Sequence, residues 1–84
     1  MPFWVYILRN GRNGKLYVGQ TSDLERRLTE HDEGRGGKFT RLNGPWELMY
    51  KEAHENRSSA VRRERFLKSV SGSREKKRLA QHGA

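Results

Sequence analysis

Residues 3–19 read FWVYILRNGRNGKLYVG. Phe3 to Arg9 is a run of aromatic and β-branched side chains, the composition of a buried strand. Asn10-Gly11-Arg12-Asn13-Gly14 is dense in turn formers, and Lys15 to Gly19 is a second short strand. The stretch therefore predicts a β-hairpin. Tyr6 and Tyr17 are symmetric about a point between Gly11 and Arg12. A loop centred there sets the two tyrosines opposite each other on one side of the sheet. A turn at Asn13-Gly14 instead shifts that register. On their own, the two phenols are more simply read as a packed aromatic pair.

Outward from the hairpin, Ser22-Asp23-Leu24-Glu25 has the spacing of a capping box and opens a helix expected to end near Gly34. Residues 34–45 are glycine-rich and read as a loop. Trp46 to Ala53 reads as a third strand, with Trp46, Leu48 and Tyr50 on one face. A second helix is expected from Ser58 or Ser59 to Lys68. Ser71-Gly72-Ser73 breaks it, and Ser73 caps a short basic helix holding Arg74, Lys76, Lys77 and Arg78. The order β-β-α-β-α-α implies an α+β fold, a three-stranded sheet with helices packed on it.

The chain has 84 residues, enough for one small domain with a modest core, residues 1–84. It has no cysteine, which excludes disulfides, thiolate metal sites and a cysteine nucleophile. The histidines at 31, 54 and 82 form no pair with zinc-ligand spacing. The apolar run at the N-terminus is too short for a membrane span and carries no signal-peptide pattern, so a cytoplasmic protein is expected. Net charge is +8. Residues 1–56 hold nine Lys+Arg against eight Asp+Glu, and residues 57–84 hold nine against two. A basic C-terminal third is the footprint of a polyanion partner, although a solvated helical surface accounts for it equally well.

Three polar groups fall on faces that should be buried. At about 100° per residue, Leu24, Leu28 and His31 form one stripe of the first helix, flanked by Arg27, while Arg26 points away. On the second helix, Ala60, Glu64 and Leu67 form the inward stripe. A buried guanidinium or carboxylate needs a partner of opposite charge. For Glu64 that partner is either a cation or a structural salt bridge to Arg27 or Lys68. Two phenols, a guanidinium, an imidazole and a carboxylate are a large polar load for so small an interior, and such convergence marks a candidate site.

These residues resemble the GIY-YIG endonuclease superfamily. Trp4-Val5-Tyr6, then Tyr17-Val18-Gly19, then Asp23 to Leu28 with His31, carry the likeness. Lys38-Phe39-Thr40 before Pro45, and Ala60 to Glu64 with Lys68, are similar to its small stand-alone bacterial branch. The likeness spans about residues 3–78. It implies that Tyr6 and Tyr17 match the tyrosines of the first and second motifs, Arg27 and His31 the helix residues, and Glu64 the metal-binding glutamate. Trp4 departs from the glycine of the first motif. Some relatives carry a further asparagine after the glutamate, and none occurs here beyond Asn56.

On that likeness, Glu64 holds one Mg²⁺ or Mn²⁺ and Arg27 grips the phosphate. Tyr6 is the expected general base, with Tyr17 and His31 orienting the water or relaying the proton; Tyr6 and Tyr17 exchanging roles is the alternative. Arg62, Arg63, Arg65, Lys68, Arg74, Lys76, Lys77 and Arg78 are candidate phosphate contacts, and Arg35, Lys38 and Arg41 candidates for the substrate edge. The expected partner is nucleic acid, with DNA first. No membrane is expected. Targeting falls to this chain or to a protein partner, and the state is a monomer or weak dimer. Two other readings stay open: a nucleic-acid-binding module without catalysis, and an adaptor of a larger repair complex.

Overall fold

The computed structural model describes residues 2–32 and 45–82. Three strands, β1 (Phe3–Asn10), β2 (Leu16–Thr21) and β3 (Trp46–His54), form one antiparallel sheet in the order β2-β1-β3. The helices are α1 (Leu24–Asp32), α2 (Arg57–Lys68) and α3 (Ser73–His82). This is the α+β arrangement expected from the sequence.

The apolar run of β1 has a direct cause. β1 is the central strand, and both faces of the sheet are covered. Val5, Tyr6, Ile7 and Leu8 are all essentially buried. Tyr6 and Leu8 face α1, packing with Trp46 and against Leu24 and Leu28. Val5 and Ile7 face the other way, into a cluster with Ala60 and Leu67 of α2 and Leu79 and Ala80 of α3. Each fully buried large side chain contributes roughly 1.5–3 kcal/mol.

The hairpin register differs from the symmetric expectation. Tyr6 pairs with Gly19, and Tyr17 pairs with Leu8. The loop is thus centred between Arg12 and Asn13, and the tyrosines lie diagonally on the same face rather than opposite. Two local features set this register. The Asn10 side chain accepts from the backbone N–H groups of Arg12 (2.8 Å) and Asn13 (3.0 Å), an Asx-type turn. Gly14 then takes φ +73°, a left-handed conformation that suits glycine.

β3 carries a bulge. Ile7 pairs with Tyr50 but Leu8 with Leu48, so Met49 is the extra residue. Trp46 and Leu48 stay on the α1 face, whereas Tyr50 turns to the opposite face; the expected single stripe of Trp46, Leu48 and Tyr50 is corrected. Caps are shifted as well. Asp23, not Ser22, caps α1 by accepting from Arg26 N–H at 3.1 Å. α2 starts at Arg57, because Asn56 caps it through Ser59 N–H at 2.8 Å. α3 runs four residues past Arg78 and buries Leu79 and Ala80. The predicted end of α1 near Gly34 and most of the glycine-rich loop lie outside the described residues.

Candidate active site

The Tyr6 ring lies flat over Gly19, its cross-strand partner. A Cβ at Gly19 would sit 2.6 Å from Tyr6 Cζ and overlap the hydroxyl. Glycine is therefore required at 19 for the phenol to reach α1. There, Tyr6 Oη shares a 3.0 Å hydrogen bond with His31 Nε2, and Arg27 Nε donates to the same oxygen at 3.4 Å. His31 is buried at the C-terminal end of α1, and its ring meets the Tyr17 ring edge-on at 5.1 Å between centroids. Tyr6 and Tyr17 are 6.4 Å apart on the same measure.

Burial pushes the Tyr6 phenol up to about 12. The Arg27 hydrogen bond opposes that rise, while the charges of Tyr17 and Glu64 add to it. Near neutral pH Tyr6 is thus a neutral phenol. Burial lowers the Arg27 guanidinium, but its pairing with Tyr6 and its hydrogen bonds to Glu30 and Tyr17 outweigh that and hold it above the ordinary arginine value. Arg27 stays charged beside a phenol that could become an anion.

Glu64 reaches this cluster from α2, which packs along the β2 edge of the sheet. Its carboxylate pairs with Lys68 Nζ at 3.1 Å, the structural salt bridge weighed above, and Lys68 lies over the Tyr17 ring at 5.8 Å. Glu64 is 20% exposed and Lys68 51%. The structure therefore brings Tyr6, Tyr17, Arg27 and His31 into one cluster, and Glu64 adjoins it through Lys68, its charge felt at Tyr6. Among the described residues, no group of three or more His, Cys, Asp or Glu could hold a metal. The donor set is one carboxylate. That fits Mg²⁺ or Mn²⁺, which is commonly held by one or two carboxylates and completed by waters and substrate phosphates.

Other candidates are placed differently. Arg63 is bound to Glu52 at 3.1 Å and to Glu75 at 3.8 Å, and Arg78 to Glu75 at 2.6 Å, so both serve internal ion pairs. Arg62, Arg65 and Arg74 are exposed. Lys76 and Lys77 line a groove with Arg9 and Lys15. Arg35, Lys38 and Arg41 lie outside the described residues. Two contributors escaped the sequence reading. Glu30 anchors Arg27 at 3.3 Å, and its i,i+3 spacing was the available signal. Arg57 joins Arg26 and Arg27 around a cleft of about 250 Å³ beside the site, and no local pattern announced it.

No helix among the described residues is long and apolar enough to cross a membrane. The chain is 40% identical to UPF0213 protein YhbQ of Escherichia coli, over 99% of this chain and 81% of that one. It is 39% identical to a UPF0213 protein of Natronomonas pharaonis, over 92% and 89% respectively. The solution NMR structure of UPF0213 protein BH0048 from Bacillus halodurans superposes with a TM-score of 0.60 at 33% identity, covering 100% of this chain and 88% of that one. Residues 2–78 match the GIY-YIG catalytic domain, and the chain thus belongs to that nuclease-type family.

Proposed function

We propose that this protein is a divalent-metal-dependent endonuclease that hydrolyses phosphodiester bonds in DNA, in repair or processing, in the cytoplasm. Residues 1–84 form one nuclease domain, a monomer or weak dimer, with any sequence targeting supplied by a protein partner. The observation that carries the reading is the hydrogen-bonded Tyr6–His31–Arg27 cluster facing one weakly paired carboxylate, Glu64.

Glu64 is the residue that would hold Mg²⁺ or Mn²⁺. Bound there, the ion supplies Lewis-acid stabilisation of the phosphate and a shared anchor for substrate and water. The chain's own groups account for the proton. A phenol raised to about 12 is a poor base unless its proton leaves as it accepts another. His31 Nε2, 3.0 Å away, is placed to take the Tyr6 proton in its Nδ1-protonated tautomer. Tyr6 oxygen then accepts a proton from the attacking water. The water oxygen bonds to phosphorus, and the bond to the leaving sugar oxygen breaks. Arg27 stabilises the transient phenolate and the added charge on the phosphate. Tyr17, half-buried against His31, orients the water. Arg26 and Arg57 steady the adjoining phosphates from their cleft.

The test is nicking of supercoiled plasmid with Mg²⁺, with Mn²⁺ and with chelator, beside Glu64→Ala. Metal-dependent nicking that falls by about a thousandfold in the variant is expected, the scale of losing a key charge-stabilising group. Wild-type protein inert on plasmid, single-stranded and branched substrates alike would overturn the reading in favour of a binding module.

A further inference from the structure

Some of the described basic residues form ion pairs and others do not, and four of the latter share one groove. Arg26 and Arg27 are paired with Glu30, Arg63 with Glu52 and Glu75, Lys68 with Glu64, and Arg78 with Glu75. Arg9, Lys15, Lys76 and Lys77 have no acidic partner among the described residues. These four surround one open groove of about 610 Å³, and among the described residues no acidic residue lines it. The groove is larger than the cleft beside Arg27 and lies elsewhere. It opens on the α3 face of the sheet, at the loop end of the β1–β2 hairpin, with Leu16, Met49 and Ala80 as its apolar lining.

Four like charges around one concavity repel one another. A polyanion relieves that repulsion and gains from counterion release. The apolar lining narrows the choice further. A duplex presents phosphates but keeps its bases stacked inside. An unpaired strand offers phosphates to the cations and a base or sugar face to Leu16, Met49 and Ala80. An acidic peptide offers the charge without a flat apolar face.

The groove is also connected to the site by the fold. Leu16 and Tyr17 are neighbours on β2 and point to opposite faces of the sheet. Leu16 lines the groove, and Tyr17 belongs to the Tyr6 cluster. β2 is an edge strand, so the route between them passes over one sheet edge, where half-exposed Lys68 sits. We propose that the groove binds unpaired nucleotides flanking the cleaved phosphate, on a strand that rounds the β2 edge. The favoured substrate is then single-stranded nucleic acid or a duplex with a single-stranded flank. Cleavage of that strand rests on the nuclease reading; binding in the groove does not.

Fluorescence anisotropy in chelator separates binding from cleavage. The probes are labelled oligothymidylate, labelled oligouridylate and a blunt DNA duplex of the same length. Lys76→Gln/Lys77→Gln and Arg9→Gln/Lys15→Gln are compared with Arg12→Gln/Lys51→Gln, an equal charge change at exposed positions outside the groove. Each groove pair should weaken single-strand binding about tenfold and flatten the log K against log salt slope by about 1.4, two contacts at about 0.7 each. Duplex binding should change by less than about twofold, because phosphate contacts elsewhere carry it. The two single-strand probes separate DNA from RNA as the source of the strand. Equal losses in the control pair, or equal losses on duplex, would show general electrostatics and overturn the proposal. Amide shifts in wild-type protein supply a readout free of substitutions: oligothymidylate should move Leu16, Met49 and Ala80. Stronger shifts of those amides by oligoglutamate would assign the groove to an acidic peptide instead. Groove binding without cleavage of any substrate removes the nuclease reading alone, and cleavage without groove binding removes this inference alone.

Discussion

Two polar clusters sit on opposite faces of the sheet, and both contain tyrosine, histidine, arginine and glutamate. On the α1 face, Tyr6, Tyr17, His31 and Arg27 gather with Glu64 approaching from α2. On the other face, Glu52 accepts from Tyr50 Oη at 2.7 Å and from Arg63 Nε at 3.1 Å, and it bonds His54 Nε2. His54 Nδ1 is in turn 2.6 Å from Ser59 Oγ. The difference lies in where the carboxylate stands. Glu52 is the hub of its cluster, saturated by three neighbours. Glu64 is at the margin of its own, with one half-exposed lysine. A saturated carboxylate has no capacity left for a ligand and serves the fold. A carboxylate held by one surface lysine can exchange that partner for a metal at little cost, since exposed pairs are worth about 0–1 kcal/mol.

The largest expected contrast is in rate. Tyr6→Phe removes the hydroxyl that His31 and Arg27 share, and nicking should fall by about 10²–10⁴-fold, the range for losing a general base. Tyr50→Phe removes a hydroxyl of the other cluster and should leave nicking within about twofold while lowering the melting temperature. Plasmid nicking and thermal melting of both variants settle it. A Tyr6→Phe enzyme at full rate would pass the base role to Tyr17.

Next in size is Gly19→Ala. Its methyl occupies the space of the Tyr6 phenol, and overpacking of this kind costs about 1–3 kcal/mol. Chemical denaturation should show that loss. Tyr6 displaced from His31 should also slow nicking, even at temperatures where the variant stays folded. A fully active Gly19→Ala protein would mean that the Tyr6–His31 contact is dispensable.

Glu52→Gln should cost about 1.5–3 kcal/mol, the scale of hydrogen bonds to a charged group, with nicking kept. Its pH signature should be distinct. Burial raises the Glu52 carboxyl, but Tyr50, His54 and Arg63 together bring it below its ordinary 4.5. That stability is present above 4.5 and is lost as pH falls through the lower folded value. Tyr6 has the opposite sign. Raised from 10.0 to about 12, it contributes stability that is full below 10 and lost as pH rises towards 12. Melting curves should thus weaken in acid through Glu52 and in alkali through Tyr6. Glu52→Gln should blunt the acid limb and, because Glu52 helps hold the Tyr50 phenol up, part of the alkaline one, whereas Tyr6→Phe should blunt only the alkaline limb.

The same contrast explains what the sequence disclosed. The Tyr6 cluster is built from local patterns: an apolar central strand, an i,i+4 stripe of Leu24 and Leu28 continuing to His31, and an acid among apolar positions at Glu64. Periodicity displays such patterns. The Glu52 cluster depends on the Met49 bulge, which shifts β3 by one residue and turns Tyr50, Glu52 and His54 to the α2 face. No glycine or proline marks that bulge, because the extra residue is accommodated by packing against β1 and α3. The hairpin register escaped for a related reason. Asn10-Gly11-Arg12-Asn13-Gly14 offers several turn centres of similar propensity, and the choice is made by the Asn10 side chain and the left-handed Gly14 together. Pairing of Arg63 was equally hidden, since Glu52 and Glu75 come from other elements than its own, whereas the Arg78–Glu75 pair is an i,i+3 spacing within α3.

The smallest expected effect is the most discriminating for Glu64. Lys68→Gln removes its salt-bridge partner, together with the ammonium over the Tyr17 ring, and leaves the hydrogen bonds of Tyr6 in place. If Glu64 serves the fold as Glu52 does, the variant leaves a carboxylate unpaired and loses stability as Glu52→Gln does. If Glu64 is kept for a cation, the loss stays within about 0.5 kcal/mol, as for an exposed i,i+4 pair. The lysine would then have been a competitor for the carboxylate. Melting in a Mg²⁺ or Mn²⁺ series should show the stabilisation of Lys68→Gln beginning at lower metal concentration than in the wild type, by the linkage of binding to stability. Glu64→Gln should show no such stabilisation in either background. Metal midpoints identical in wild type and Lys68→Gln would place the ion away from Glu64.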